Sequence, residues 1–366
     1  MLPRLEARGA VSTPMLYLTP VFAVGLTLVA GVILFAVLGF DPMRALFVYF
    51  IKPISTVYGL SELAVKATPL ALIALGLSLG FRANVWNIGA EGQLTIGAIC
   101  GGAVALWFHD NQGFWVLPLM IIAGALGGMA WAAIPAWLRV RFNANEILTS
   151  LMLTYVATLL LSYLVHGPMR DPQGHNFPES RMFGDSALLP VIVDGTRLHF
   201  GAIIAIAAIV LGWVLVSRSF IGFQIKVVGQ APIAAGYAGF SERRLIWITF
   251  LFCGALAGLA GLFEVAGPIG QLNPIISPGY GFTAIIVAFL GRLHPVGVLL
   301  ASLLIALSYI GGELAQIELR LPLAVTGVFQ GMLLFFLLGT DVLIRYRFRF
   351  RRRARLVPTP APAGEA

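Results

Sequence analysis

Asn84, Trp86, Asn87, Glu91 and Gln93 fall inside "RANVWNIGAEGQLTIGA" (82–98), a stretch whose flanks are nearly continuous hydrocarbon. Their amides, indole and single carboxyl can donate and accept hydrogen bonds, which is the chemistry of holding a polar solute. The chain has no His-Glu-x-x-His, no clustered carboxylates and no Gly-x-Ser-x-Gly turn, so bond-making chemistry finds no support. A polar side chain deep in a bilayer persists only where it faces protein or a watery cavity, and Gly89 and Gly92 allow a helix to break there. The stretch therefore reads as an interrupted helix bordering a path, where free backbone groups meet a solute without burying a net charge. Two alternatives stay open: Arg82 to Asn87 as a cytoplasmic turn, and Glu91 as a bundle-internal partner. Glu91 either meets a hydroxyl or amine of the solute or holds the broken helix, and the structural part is favoured. Trp86 either stacks on a flat part of the solute or serves as an interfacial aromatic, the commoner place for a lone Trp.

A second polar interruption, "GPIGQLNPIISPGYGF" (267–282), carries Asn273, Pro274 and Pro278. Interruptions in both halves of a chain point to two pseudo-repeated halves with a path between them. An external loop closed by proline turns would use the same residues.

These groups need a membrane scaffold to position them. Of 366 residues 59% are hydrophobic and 11% charged, which excludes a soluble multidomain protein. The predicted fold is all-α, a polytopic bundle of about ten membrane segments at 16–40, 62–80, 93–108, 115–137, 146–165, 199–217, 245–266, 280–291, 296–311 and 322–340. The first is read as a retained helix, because its apolar run is long enough to span and no small-residue cleavage site ends it. With the N-terminus in the cytoplasm, 17 of the 24 basic residues lie inside, including seven arginines from Arg345 to Arg355; Arg44, Lys52, Lys66, Arg170, Arg181, Arg197 and Arg320 lie outside. The organisation is then a tail at 1–15, a membrane domain at 16–342 and a basic, then Pro/Ala-rich tail at 343–366. Both termini face the cytoplasm of a multi-pass protein in a bacterial inner membrane. The net charge of +8 is read as a topology anchor facing anionic lipid, not as a nucleic-acid surface.

Residues 167–198 form an extracytoplasmic loop. Without metal-ligand spacing, His166, His175 and His199 read as solvated loop histidines, and neither a metal nor a cofactor is called for. Cys100 and Cys253 sit in apolar runs and read as small buried hydrophobes. The inside segment 218–244 is too apolar for a solvated linker. Its "APIAAGYAGF" suits a short helix approached closely by another surface, with Ala234, Ala235 and Gly239 making room and Tyr237 and Phe240 as anchors. Scattered Glu146, Glu264 and Glu313 read as bundle-facing partners of hydroxyls or backbone.

Three segments carry a resemblance: "NIGAEGQLTIGA" (87–98), "NANEILTSLMLTYVA" (143–157) and "VVGQAPIAAGYAGFSERRLIWITFLFCGALAGLAGLFEVAG" (227–267). Together they resemble the permease subunits of ATP-binding cassette importers for nucleosides and simple sugars, a broad family that includes ribose and branched-chain amino acid permeases. The resemblance runs from roughly Ala64 to Val342. It implies that Asn87, Gly89, Glu91, Gly92 and Gln93 border the pathway, and that Gly229, Ala234, Ala235, Tyr237, Ala238 and Gly239 seat in a groove of a cytoplasmic ATPase. Ile233 stands where other importer families carry a coupling glutamate, which leaves a salt bridge there in doubt. The chain has no Gly-Lys dipeptide and hence no phosphate loop, so the energy must come from a partner. Further implied partners are a second, related permease and a periplasmic or lipid-anchored binding protein. An ion-coupled secondary transporter of a small polar solute is the alternative; it would have no use for a docking loop at 218–244.

Overall fold

Apolar runs in a bilayer become helices because no water is present to satisfy a bare backbone. The computed structural model describes residues 4–7, 13–174, 177–322 and 324–349. Thirteen α-helices occur among them: α1 (Thr13–Val37), α2 (Pro42–Leu46), α3 (Val57–Arg82), α4 (Ala90–Trp107), α5 (Val116–Phe142), α6 (Glu146–His166), α7 (Gly201–Arg218), α8 (Phe220–Gln230), α9 (Pro232–Tyr237), α10 (Glu242–Glu264), α11 (Tyr280–Leu290), α12 (Pro295–Leu319) and α13 (Ala324–Arg345). Each of the ten expected segments coincides with one of them. Seven helices, α1, α3, α5, α6, α7, α10 and α12, have the length and apolarity of full spans. The stretch holding Arg44 and Lys52, expected outside, is itself helical: α2, a π-turn at Phe47–Ile51 and a 3₁₀ turn at Lys52–Ile54.

Helix starts follow from side-chain caps. Thr56 accepts from Gly59 N at the head of α3, Asn145 from Ile147 N at α6 and Ser241 from Arg244 N at α10, each supplying an acceptor that the first turn lacks.

The chain divides into two compact units, Met1–Ala30 with Gly331–Ala366, and Gly31–Gln330. In the first, β1 (Arg4–Ala7) pairs antiparallel with β2 (Tyr346–Arg349), Arg4 opposite Arg349. These two short strands are an addition to an otherwise helical protein. The basic residues beyond Arg349, like His175, lie outside the described residues.

In the second unit α3, α4 and α10 are the innermost helices, while Leu159 and Tyr163 of α6 and Leu211 of α7 point outward as lipid-facing or partner-facing hydrocarbon. Helix contacts in a membrane rely on close backbone approach rather than on apolar transfer. Gly124 and Gly128 of α5 meet Gly254 and Gly258 of α10, and a Cβ on Gly258 would lie 2.3 Å from Gly124 O. The loop after α6 lies over α10: Leu189 N donates to Ala266 O at 2.8 Å and Phe183 N to Gly270 O at 2.8 Å. His199 corrects one expectation, since its ring is only 2% exposed, packed on Gly267 and Phe263 and accepting from Gly201 N at 3.2 Å. That packing pushes the imidazole down to about 4, because burial disfavours the charged form. His166 does stay exposed, bonded to Ser162 O.

Candidate functional site

The first interruption begins where α3 stops at Arg82. Asn84 adopts a left-handed turn (φ 57°), and Val85 N returns to Gly80 O at 2.9 Å. From there the chain runs without helical bonds to α4. Asn87 Nδ2 reaches Sγ of Cys253 at 3.2 Å, eleven residues and so roughly 16 Å from the start of α10 and level with Gly76 of α3, where a Cβ would lie 2.8 Å from Cys253 Cα. Asn87 and Gln93 bond reciprocally, Nδ2 to Oε1 at 3.0 Å and Nε2 to Oδ1 at 3.1 Å, and Asn87 Oδ1 also accepts from Gly89 N. The two amides satisfy each other and brace the start of α4. Cys253 thus accepts a hydrogen bond as well as filling space.

The remaining candidates divide. Gly89 and Gly92 face α6, where a Cβ would come 2.5 Å from Ser150 O and 2.8 Å from Thr154 Cα; they let α4 and α6 touch. Trp86 packs in an aromatic group with Phe81 at 5.0 Å and Phe289 at 6.0 Å, and its indole N–H donates to the exposed Asn84 Oδ1. Asn273 is half-buried, and its Oδ1 has no hydrogen-bond partner.

The second interruption follows α10. A π-turn, Val265–Ile269, ends at Gly270 (φ 78°), and residues 270–279 continue without a helix until α11. Backbone left bare in a membrane needs partners. Ser180 supplies them, its N donating to Leu272 O and its hydroxyl accepting from Leu272 N, both at 2.9 Å. α11 has only eleven residues, roughly 16 Å, about half a bilayer.

The two interruptions meet at Glu91. Its carboxylate, on the first turn of α4, accepts from Gly281 N at 2.6 Å, while Ser277 Oγ accepts from Gly279 N and Tyr280 N beside it. A carboxylate so placed satisfies an orphan N–H group of α11 and lies at the positive end of its dipole. A Cβ on Gly281 would fall 2.3 Å from Glu91 N, so only glycine admits this approach. The proline-rich stretch is therefore a descending segment joined to the first, not an isolated external loop.

The inner ends are also joined. Arg82 Nε donates to Leu293 O at 2.8 Å in the turn after α11. On the other side α8 packs against α3 so tightly that a Cβ on Gly229 would lie 1.9 Å from Arg82 O. Gly229 is thus a packing residue inside the protein. α9 presents Ile233, Ala234, Tyr237, Ala238 and Gly239 outward, with Tyr237 91% exposed, while Ala235 is buried against the bundle. Gly239 ends α9 with φ 78°. Phe240 is half-buried and stands edge-on to the exposed rings of Phe220 at 5.8 Å and Phe223 at 6.1 Å. Beside this region a cleft of about 430 Å³ is lined by Arg139, Arg141, Glu242 and Arg243.

Sequence reasoning read Glu146 and Glu313 as bundle-facing partners of hydroxyls or backbone and missed their cationic partners, as it missed the pairing of Glu62. Glu146 pairs with Arg139 and lies 3.5 Å from Trp86 N, and Ser150 accepts from Ile88 N at 3.2 Å, so α6 anchors the first interruption through the segment "NEILTS". In the outer half, Glu62 pairs with Arg197 and Lys66 with Glu313, above a buried Glu264. Glu62 and Lys66 stand four residues apart on α3, a spacing visible in the sequence.

Residues 59–338 match the family model described as the permease component of the branched-chain amino acid transport system. The chain is 39% identical to the glucose ABC transporter permease TsgB13 of Haloferax volcanii over 353 residues, covering 94% of this chain and 92% of that relative. It is 32% identical to the guanosine ABC transporter permease NupP of Bacillus subtilis, covering 87% and 92%. A second guanosine permease of that organism, NupQ, is 30% identical, covering 65% and 76%. A helical membrane bundle with two joined interruptions, matched over most of its length by these relatives, belongs to the permease family of ATP-binding cassette importers and is a transport subunit of such a system.

Proposed function

We propose that this permease forms the translocation pathway for a nucleoside or simple sugar. The similarity to glucose and guanosine permeases supports that substrate class, and the uncharged character of the candidate residues other than Glu91 suits a neutral solute. The interrupted segments border the path. Asn273, with its free oxygen, and the exposed Asn84 offer polar atoms to the solute, and Asn87, Glu91 and Gln93 hold the broken helices in register with Gly89 and Gly92 at the α6 contact. Trp86 braces the inner rim.

A separate cytoplasmic ATPase seats on α9, with Ala234, Tyr237, Ala238 and Gly239 at the contact and Ala235 and Gly229 fixing the helix to the bundle. The observation that carries this reading is the continuous run from the exposed α9 face, through the Gly229 contact, to Arg82 at the head of the first interruption. Motion imposed on α9 reaches Arg82 directly, and through its bond to Leu293 the end of α11, so ATPase closure rocks both interrupted segments together. The outward apolar faces of α6 and α7 suit a second permease. Two distinct guanosine permeases among the relatives from one organism support a related but different chain in that place. A periplasmic or lipid-anchored binding protein delivers solute to the outer face. The protein sits in a bacterial inner membrane with both termini cytoplasmic, a placement that the pairing of β1 with β2 supports by bringing the two ends together.

Tyr237→Ala tests the docking face. The residue is 91% exposed, so the fold survives. Loss of an interfacial aromatic anchor costs about 2 kcal/mol, roughly thirtyfold in ATPase affinity. Co-purification and solute-stimulated ATP hydrolysis should both fall; unchanged values for Tyr237→Ala and Ile233→Ala together would remove α9 as the docking element.

A further inference from the structure

We propose that the cleft where the end of α5 meets the start of α10 is a second seat for the ATPase, in which carboxylate side chains of that partner bind Arg141 and Arg243. This rests on the reading that the ATPase docks on α9 and adds the charged part of that contact.

The docking helix itself cannot supply it. Residues 231–240, "APIAAGYAGF", hold no charged side chain, so α9 offers shape and apolar contact only. The exposed surface does not end with α9. From Gly236 to Arg244 every residue is exposed except the half-buried Phe240, and this run leads straight to Glu242 and Arg243, which line the cleft. The link is tight: Gly239 N donates to Gly236 O and Phe240 N to Ala235 O, both at 3.0 Å, and Ser241 caps α10. A body seated on α9 therefore reaches the neighbouring cleft. The end of α5 contributes Arg139 and Arg141 to it, and α10 adds the buried Ile246.

The charges in the cleft do not balance. Both nearby carboxylates are committed to Arg139: Glu146 pairs with it, and Glu242 lies 3.9 Å away. Arg141 and Arg243 are exposed, and among the described residues neither has an ion-pair or hydrogen-bond partner. These two guanidiniums line a space of about 430 Å³, far more than the roughly 30 Å³ that a water takes up. A guanidinium presents a planar fork of donors and accepts nothing, so it best holds a carboxylate or a phosphate. Beside a docking face the carboxylate of a protein partner is the group at hand. Charge pairs at the edge of an interface steer encounter and fix register, which the uncharged α9 cannot do. Ile233 leaves α9 without an acid for a basic partner, whereas the cleft beside it calls for an acidic one.

The cleft is also joined to the pathway. Arg139 holds Glu146, whose carboxylate lies 3.5 Å from Trp86 N in the first interruption. A carboxylate entering the cleft draws on Arg139 as well and loosens that hold, so docking acts on the first interruption by a second route, separate from the Gly229 contact with Arg82.

The test titrates the purified ATPase subunit onto the permease reconstituted in phosphatidylcholine nanodiscs and follows affinity as salt is raised. Two partly exposed ion pairs together contribute roughly tenfold in affinity at low salt. Arg141→Gln combined with Arg243→Gln should weaken the ATPase by about that factor and flatten the salt dependence. Arg218→Gln combined with Lys226→Gln removes the same charge from exposed positions on α7 and α8 and should leave both nearly unchanged. Equal weakening by the two pairs would mean a general field and overturn the seat. Arg141→Lys and Arg243→Lys keep the charge and give carbodiimide an amine to couple, so each should form an amide with an aspartate or glutamate of the ATPase, located by peptide mass spectrometry. Absence of that link in an intact complex overturns the proposal. So does a glutamine pair that keeps full ATPase affinity but loses stimulation by phosphatidylglycerol, a result that gives the cleft to a lipid phosphate. Weak binding in Tyr237→Ala with the glutamine pair at wild-type affinity sinks this seat and leaves α9 standing; full affinity in both Tyr237→Ala and Ile233→Ala removes α9 itself, a separate result.

Discussion

Removing Glu91 should uncouple the two interrupted helices. Its carboxylate oxygen lies 2.6 Å from Gly281 N. A hydrogen bond to a charged group contributes about 1.5–3 kcal/mol, and a negative charge at a helix start about 0.3–1 kcal/mol more. Glu91→Gln keeps an acceptor oxygen and loses the charge, so its cost is about 1–2 kcal/mol, a five- to thirtyfold shift toward an undocked α11. Glu91→Ala leaves the buried Gly281 N–H bare, at about 1–3 kcal/mol. Hydrogen exchange of the amides of residues 279–283 in the assembled transporter reads this directly, and solute-stimulated ATP hydrolysis reads its consequence. The expected order is wild type, Gln, Ala in decreasing protection, with transport of every solute reduced alike. Protection unchanged in Glu91→Ala would refute the capping geometry. A changed solute preference with protection intact would refute the structural part and make Glu91 a recognition residue.

Two further outcomes follow from the packing. Gly258→Leu drives a side chain into the Gly124 carbonyl of α5, at a cost on the order of 3 kcal/mol, and should lower the thermal midpoint of the purified permease; Gly327→Ala, which enters open space, should not. His199 stays neutral in the folded loop down to about pH 4, whereas the unfolded loop takes up a proton near 6.5. Loop stability is thus full above pH 6.5 and falls between 6.5 and 4 by at most about 3 kcal/mol. Proteolysis of the 167–200 loop should accelerate from pH 7.5 to pH 5, and His199→Asn should flatten that dependence.

The sequence by itself determined the class, the ten apolar segments, the two interruptions and the inside segment that leaves the bundle. Those follow from local composition: hydrocarbon runs have no alternative to a helix in lipid, and glycine, proline and amides mark where a run must stop. It did not determine what the polar residues do. Asn87 reads equally as a solute ligand or a brace until Gln93 and Cys253 are seen on either side of it, one six residues away and the other in a helix 166 residues on. Glu91 depends in the same way on Gly281, and Phe240 joins an aromatic group with Phe220 and Phe223 that lies up to twenty residues away in the chain. Partners so far apart in the chain leave no periodic trace, since a hydrogen bond depends on two positions in space and not on the spacing of either. Lys66 and Glu313 looked scattered for that reason, and only the packing of α3 against α12 brought them to 3.2 Å.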